Sequence, residues 1–335
     1  MEQKKGGRES MSGEINTDGI IKENYTLIKD KKICIVGLGG VGGFLGGTLA
    51  RQYPHVMFYA RGDRKDALLK KGISIESEYI GNFTVRPEKI SDKAEDFGIM
   101  DYIIISVKNY SLEQVCNQIA PMVGEKTVII PIMNGTNPGE RVRKYLGKGI
   151  VLDALIYIVS GSNEDYTITQ KGKYASVHIG LNTPDIEEQK AIKDVHAIIQ
   201  GAGVECVMEE DIQAVIWKKY VLNCAYNVLT AYYSATTGEL RNDPKKVEEY
   251  KELLAEACLV GRTKGVSIPD NMEEEQLRHL LYIQTEDATS SLRRDMDAGR
   301  LNELDTFSGY LLEEGKKYGI GLPVTERFYR ELKRR

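Results

Sequence analysis

The first part of the chain, up to residue 208, alternates short apolar runs with amphipathic segments. Four of the runs are strongly apolar: residues 33–36, 56–60, 100–107 and 127–133, in which only Asp101, Ser106 and Thr127 are polar. Continuous runs of this length are typical of strands that are buried on both faces of a parallel sheet. Apolar residues at helical spacing follow the first run, over residues 43–52. The pattern predicts an α/β domain with a parallel sheet.

Further elements extend this domain. Four more segments are predicted from their patterns: strands at 150–160 and 175–181, a helix at 185–200 and a last strand at 204–208. From about Asp211 the pattern changes, and helical periodicity continues to Arg335. This change predicts a second, all-α domain with a boundary near residues 209–211.

The chain is therefore expected to have three parts. Residues 1–30 are polar and glycine-rich, and are expected to form an extension outside the core, with a short edge element at 25–28. The α/β domain is expected over residues 31–209 and the helical domain over residues 210–335.

A glycine-rich turn follows the first apolar run. Its residues are Gly37, Leu38, Gly39, Gly40, Val41 and Gly42. Gly37 permits a tight turn, Gly39 leaves room for a pyrophosphate, and Gly42 lets the following helix approach the strand closely. The turn predicts a dinucleotide site, because a strand precedes it and a helix follows it. A glycine turn in an unrelated α/β protein is the alternative interpretation.

The end of the second strand indicates the type of dinucleotide. An acid at this position would bind the ribose 2′-hydroxyl of NAD(H), whereas an arginine accommodates the 2′-phosphate of NADP(H). Arg61 occupies the position, and Arg64 and Lys65 follow closely. The arginine favours NADP(H), although Asp63 lies nearby and a solvated basic loop has the same composition.

Two later strands also end in polar residues. Lys108 follows the strand at 100–107, and Asn134 and Gly135 follow the strand at 127–133. Ligands of open α/β sheets bind beyond the carboxyl ends of the strands, so these residues are expected to line the cofactor cleft. An Asn-Gly pair also favours a turn without any ligand.

An apolar helix in the second domain carries a polar stripe. Lys219, Asn223 and Asn227 are four residues apart, which places them on one face. Buried amides and an ammonium group are costly unless they are satisfied, so the stripe indicates a shared polar partner such as a ligand. Alternatively, Lys219 extends to solvent and the asparagines cap neighbouring helices.

An acidic residue near the end of the chain is a further candidate. Glu303 begins a helix whose following apolar residues face a core. A carboxylate beside a buried lysine can position it or tune its acidity. A glutamate in the first turn of a helix is also common at surfaces.

Composition narrows the class of protein. The net charge of −4 gives no basic surface for nucleic acid. The five cysteines are scattered among apolar neighbours and the four histidines have no metal-ligand spacing, so we expect reduced thiols, no metal and a cytoplasmic location. No apolar run approaches the length of a membrane span. The expected partner is a small molecule, and a homodimer is left open.

Taken together, these motifs resemble the ketopantoate reductase (2-dehydropantoate 2-reductase) family. The resemblance covers residues 31–335. It rests on the glycine turn and on these residues: Arg61, Lys108, Asn134, Gly135, Trp217, Lys219, Asn223, Asn227, Ser291, Asp295, Glu303 and Asp305. It implies a Rossmann-type N-terminal domain, an all-α C-terminal domain and an active site between them. It also implies NADPH-dependent reduction of 2-dehydropantoate to (R)-pantoate, on the route to pantothenate and coenzyme A.

The resemblance also implies a role for each matching residue. Lys219 is similar to the family's general acid, and Glu303 to the acid that helps to hold substrate and lysine. Asn134 is similar to the residue between nicotinamide and substrate. The remaining matches are substrate-binding groups or cofactor contacts: Asn223, Asn227 and Ser291 for substrate, and Lys108 and Arg61 for cofactor.

One departure from the family leaves the substrate open. Ala288 and Thr289 occupy a place where some members have a substrate-binding asparagine. Reduction of another branched 2-keto acid is therefore an alternative. A non-catalytic NADP(H)-binding sensor of the same fold is a second alternative.

Overall fold

A computed structural model describes residues 28–335. Residues 1–27 of the expected extension lie outside the described residues. So does the edge element predicted at residues 25–28, apart from Ile28, which is buried.

The first half of the structure consists of alternating strands and helices. The strands are β1 (Ile33–Val36), β2 (Val56–Tyr59), β3 (Ile73–Ser77), β4 (Phe83–Val85), β5 (Lys89–Ser91), β6 (Tyr102–Ile105), β7 (Val128–Pro131), β8 (Ile150–Val151), β9 (Asp153–Ser162), β10 (Ile168–Gly180) and β11 (Glu205–Met208). The helices are α1 (Gly40–Gln52), α2 (Gly62–Lys71), α3 (Leu112–Ile119), α4 (Pro138–Leu146) and α5 (Ile186–Gly201).

Six of these strands form a parallel sheet. Its order is β5-β2-β1-β6-β7-β8, and every neighbouring pair runs parallel. The residues of β1, β6 and β7 are buried throughout, as their continuous apolar runs predict. The predicted Rossmann-type arrangement is confirmed.

A second sheet covers the other side of α1. Its order is β11-β10-β3-β4, and β9 pairs antiparallel with β10. The glycines of α1 allow this close packing: a Cβ on Gly47 would lie 2.8 Å from Ile75 Cδ1, and one on Gly43 would lie 2.5 Å from Ile168 Cδ1. The strand predicted at 175–181 is the end of a longer strand that starts at Ile168.

The second half is helical. Its helices are α6 (Ile212–Tyr232), α7 (Thr237–Arg241), α8 (Pro244–Thr263), α9 (Met272–Arg278), α10 (Ser291–Asp297), α11 (Tyr310–Lys317) and α12 (Pro323–Leu332), with π-helical turns at His279–Ile283 and Asp305–Gly309. The long helix α6 is buried over most of its surface and lies at the centre of a core. The domain boundary expected near 209–211 lies between β11 and α6 and stays a prediction.

Candidate functional site

The polar residues predicted at the strand ends meet at one edge of the first sheet. β1, β6 and β7 are parallel neighbours, so their carboxyl ends lie side by side. The glycine turn follows β1, Lys108 follows β6 and Asn134 follows β7. Ligands of open α/β sheets bind beyond such ends, so this edge is a candidate ligand site.

A buried carboxylate joins this edge to the helical region. Glu303 is 4% exposed and precedes the helical segment that begins at Leu304. Its Oε1 accepts hydrogen bonds from the backbone N–H of Asn109 at 3.2 Å and from Asn109 Nδ2 at 2.9 Å. Its Oε2 accepts from Asn134 Nδ2 at 3.1 Å and from Lys108 Nζ at 3.3 Å. These donors offset the cost of burying the negative charge.

Lys108 carries a second ion pair between the two halves of the structure. Its Nζ lies 2.8 Å from Asp295 Oδ2 and 3.3 Å from Glu303 Oε2. Burial alone would lower the pKa of Lys108, but the two carboxylates outweigh burial and the pKa is raised. Lys108 is therefore held as a cation between α10 and the end of β6.

Lys219 extends from α6 toward β9. Its Nζ donates a hydrogen bond to the main-chain oxygen of Ile156 at 2.7 Å and lies 5.7 Å from the centroid of the Tyr157 ring. Among the described residues it forms no ion pair with a carboxylate. Burial lowers the pKa of Lys219 to about 8, and the more distant Glu303 carboxylate acts in the opposite direction. An ammonium group of this acidity can give up a proton near neutral pH.

The polar stripe of α6 continues beyond Lys219. Asn223 is partly buried and Asn227 is 5% exposed, and neither side chain is hydrogen-bonded to another described residue. The hydroxyl of Ser291, at the start of α10, also lacks a hydrogen-bond partner among residues 28–335. Because α10 packs against α6, these two helices offer unpaired polar groups to a ligand.

The glycine turn has the shape of an anion-binding cradle. Gly37 has a φ of 90°, and a Cβ on Gly42 would lie only 1.9 Å from the Gly37 carbonyl oxygen. Beside Gly39, by contrast, a Cβ would meet no atom within 4 Å. α1 begins without a side-chain cap or an acidic residue in its first turn, so its N–H groups remain available to an anion.

The two arginines near the end of β2 lie in different environments. Arg61 is exposed, just before α2, and forms no ion pair with any carboxylate of the described chain. Arg64 extends over the glycine turn and donates to the Leu38 carbonyl and, at 3.1 Å, to Ser162 Oγ. The guanidinium of Arg64 is therefore already held by protein oxygens, whereas that of Arg61 is exposed and available to a ligand.

The structure brings some of the predicted site residues into contact and leaves others apart. Lys108, Asn134 and Glu303 share hydrogen bonds, whereas no hydrogen bond joins Lys219 to Glu303. The cluster also contains three residues to which the sequence assigned no role at the site: Asn109, Arg141 and Asp295, of which only Asp295 belongs to the family resemblance.

A sequence signal exists for two of these three. Asn109 directly follows Lys108 at the end of a strand, so the strand-end argument applies to it as well. Asp295 is part of the family resemblance and lies one turn beyond Ser291. Arg141 belongs to an amphipathic helix with several other charged residues, and nothing in the pattern distinguishes it from them.

Within residues 28–335 no helix is both long and apolar enough to cross a membrane. In the same part of the chain, no group of three or more His, Cys, Asp or Glu residues is arranged to hold a metal ion. The five cysteines are buried free thiols.

Comparison with known proteins covers nearly the whole described chain. The family model "Ketopantoate reductase PanE/ApbA" matches residues 33–184, and its C-terminal counterpart matches residues 211–335. The uncharacterized oxidoreductase YkpB of Bacillus subtilis (strain 168) is 32% identical over 90% of this chain and 97% of its own length.

Two solved structures share the fold. A PanE/ApbA family ketopantoate reductase from Ralstonia eutropha JMP134 superposes with a TM-score of 0.81 at 23% identity, over 90% of this chain and 97% of that one. D-mandelate dehydrogenase, solved with NADH and anilino(oxo)acetate, gives a TM-score of 0.81 at 19% identity, again over 90% and 97%. From the two family models and the relative in B. subtilis, the chain belongs to the ketopantoate reductase family of oxidoreductases.

Proposed function

We propose that this protein is an NADPH-dependent reductase of a branched 2-keto acid, with 2-dehydropantoate as the first candidate substrate and (R)-pantoate as its product. The observation that carries the proposal is Lys219, a partly buried lysine with a pKa lowered to about 8 and no carboxylate partner among the described residues. Reduction of a ketone requires a proton donor, and no sensor of the same fold needs one.

The residues around the glycine turn fit a nicotinamide dinucleotide. The open space beside Gly39 and the uncapped start of α1 suit a pyrophosphate. Arg61, exposed and without a carboxylate partner in the described chain, suits a 2′-phosphate. When it is bound, the reduced nicotinamide supplies the hydride for the reaction.

The roles of the chain's own residues follow from their chemistry. In this proposal the ammonium of Lys219 stabilises negative charge that develops on the substrate's C2 oxygen, and then gives that oxygen its proton. Glu303 holds the Asn134 amide by the hydrogen bond at 3.1 Å, and Asn134 orients the substrate. Asn223, Asn227 and Ser291 provide polar groups for the carboxylate and hydroxyl of the substrate.

The acidity of Lys219 predicts a pH dependence. With its pKa lowered to about 8, the group is protonated below that pH and loses its proton above it. Since the protonated form is the one that donates, kcat/KM for ketone reduction should be constant up to about pH 7 and fall about tenfold per pH unit above the pKa. Initial rates of NADPH oxidation from pH 6 to 10 test this. A profile that stays flat to pH 10 contradicts the assignment.

Arg61 predicts the cofactor preference. Wild-type protein should use NADPH more efficiently than NADH, and Arg61→Ala should lower kcat/KM for NADPH at least about tenfold while changing that for NADH little. Lys70→Ala is the matched control, because Lys70 is an exposed cation at the far end of α2. Equal efficiencies of the two cofactors in the wild type contradict the 2′-phosphate argument.

A second substrate is favoured by one observation in the loop before α10. Ala288 has only a methyl side chain, and its carbonyl oxygen already accepts hydrogen bonds from Thr237 N at 2.9 Å and Thr237 Oγ1 at 3.3 Å. A substrate hydroxyl therefore finds no amide at this position. A 2-keto acid with an apolar branched side chain is the second candidate substrate.

A further inference from the structure

Asn109 contacts both polar residues proposed to hold the substrate end of the site. It is 5% exposed, and its Nδ2 donates to Glu303 Oε1 at 2.9 Å and to the Asn134 main-chain oxygen at 2.8 Å. Its backbone N–H donates to the same Glu303 oxygen at 3.2 Å. Asn109 therefore binds one oxygen of Glu303 twice and leaves the other oxygen to Asn134 and Lys108.

Arg141, on α4, fixes the orientation of the Asn109 amide. Its Nη1 donates to Asn109 Oδ1 and its Nη2 donates to the Asn109 main-chain oxygen, both at 3.0 Å. An asparagine amide can be turned either way, but a guanidinium can only donate, so Oδ1 must face Arg141 and Nδ2 must face Glu303. Arg141 forms no ion pair with a carboxylate of the described chain. Its planar guanidinium instead donates two hydrogen bonds to Asn109.

We propose that Asn109 and Arg141 are positioning residues of the reductase, which act through Glu303. Arg141 orients Asn109, Asn109 orients the Glu303 carboxylate, and Glu303 presents its second oxygen to Asn134. This inference rests on the proposed function. Neither residue is required to touch the substrate.

The test is one double-mutant cycle on Asn109 and Glu303, measured both by kinetics and by stability. Asn109→Ala should lower kcat/KM for the 2-keto acid about 30-fold in the wild-type background, the usual size for hydrogen bonds to a charged group. In a Glu303→Ala background the same change should cost less than about threefold. Urea midpoints of the same four proteins should also be less than additive, a readout that does not depend on turnover.

The role of Arg141 is tested by replacing it with alanine and with lysine. These variants keep the proposal testable if Glu303→Ala fails to fold. Arg141→Ala should lower kcat about tenfold, whereas Arg141→Lys, which keeps a single donor, should recover part of the loss. The Kd for NADPH, from fluorescence titration, should change less than about threefold in both variants. Lys144→Ala is the control, because Lys144 lies on the same helix, is exposed and forms no ion pair within residues 28–335.

The outcomes separate this inference from the function on which it rests. The urea midpoints of the Asn109 and Glu303 variants could be less than additive while their losses of kcat/KM are fully additive. That result would mean that Asn109 has only a structural role, and would overturn the positioning role. An Arg141→Ala variant with wild-type kcat would overturn the part assigned to Arg141. Wild-type protein that fails to oxidise NADPH with any 2-keto acid contradicts the proposed function itself, before any variant is compared.

Discussion

Replacing Lys219 by alanine is expected to lower kcat for reduction of the 2-keto acid at least about 100-fold, the usual minimum for loss of a general acid. The variant should keep its affinity for NADPH, because Lys219 contacts the Ile156 carbonyl and the Tyr157 ring and not the glycine turn or Arg61. Lys219→Ala also removes a single hydrogen bond, to the Ile156 carbonyl, so the fold should be retained.

The chain offers a close control for this experiment. Lys218 is the preceding residue on α6, is exposed, and pairs with Glu275 Oε2 at 3.1 Å on the surface. Lys218→Ala should leave kcat within about twofold, since an exposed ion pair contributes little. Steady-state kinetics of both variants and a titration with NADPH make the comparison. Near-wild-type kcat in Lys219→Ala would remove this residue from the proton-donor role.

Replacing Glu303 is the second large effect that we expect. Glu303→Ala removes the acceptor of the Asn134 amide and of the Asn109 backbone N–H, and should lower the free energy of unfolding by about 2 kcal/mol or more. The Asn109 amide and Lys108 each lose one acceptor and keep another, the Asn134 main-chain oxygen and Asp295. Because Lys108 is partly exposed and can be rehydrated, most of this cost comes from the two asparagines. We expect kcat/KM to fall about 100-fold, since Asn134 loses its orientation.

Glu303→Gln removes the negative charge of Glu303 but keeps the size and shape of its side chain. It retains a hydrogen-bond acceptor and should lose less stability than Glu303→Ala, while kcat/KM still falls at least about tenfold. Glu313→Gln, on the exposed side of α11, is the control. Urea denaturation and initial-rate kinetics are the measurements. If Glu303→Gln and Glu303→Ala both kept wild-type kcat/KM, the cluster at the strand ends would have no part in the reaction.

Four strands of the first sheet, β1, β2, β6 and β7, could be predicted because each lies in an apolar run with a clear break. The edge strand β5 was not predicted, because Lys89–Ser91 is short and carries only one apolar residue. β1 follows this pattern over Ile33–Val36, and the glycine turn after it has a specific spacing. β10 is different: residues 170–174 are mostly polar and exposed, so its first half does not look like a buried strand. Its position depends on pairing with β9, a contact between segments that the local pattern does not encode.

Candidate site residues could be predicted from the sequence where their type and their position in a local pattern together indicate a chemical role. Lys219 met that condition through the stripe on α6, and Lys108 and Asn134 met it through their places after strands. Arg141 did not, because its role depends on the three-dimensional approach of α4 to the end of β6. The contact between Glu303 and Asn109 could not be predicted either, because the two residues are 194 positions apart and no local pattern connects them.

The central claim is that this chain reduces a 2-keto acid with NADPH. The most direct test is to mix purified wild-type protein with NADPH and, in separate reactions, 2-dehydropantoate and a panel of other branched 2-keto acids, and to follow NADPH absorbance. We predict oxidation of NADPH with at least one branched 2-keto acid, and formation of the corresponding 2-hydroxy acid. Binding of NADPH without oxidation by any member of the panel would contradict the claim and favour a cofactor sensor.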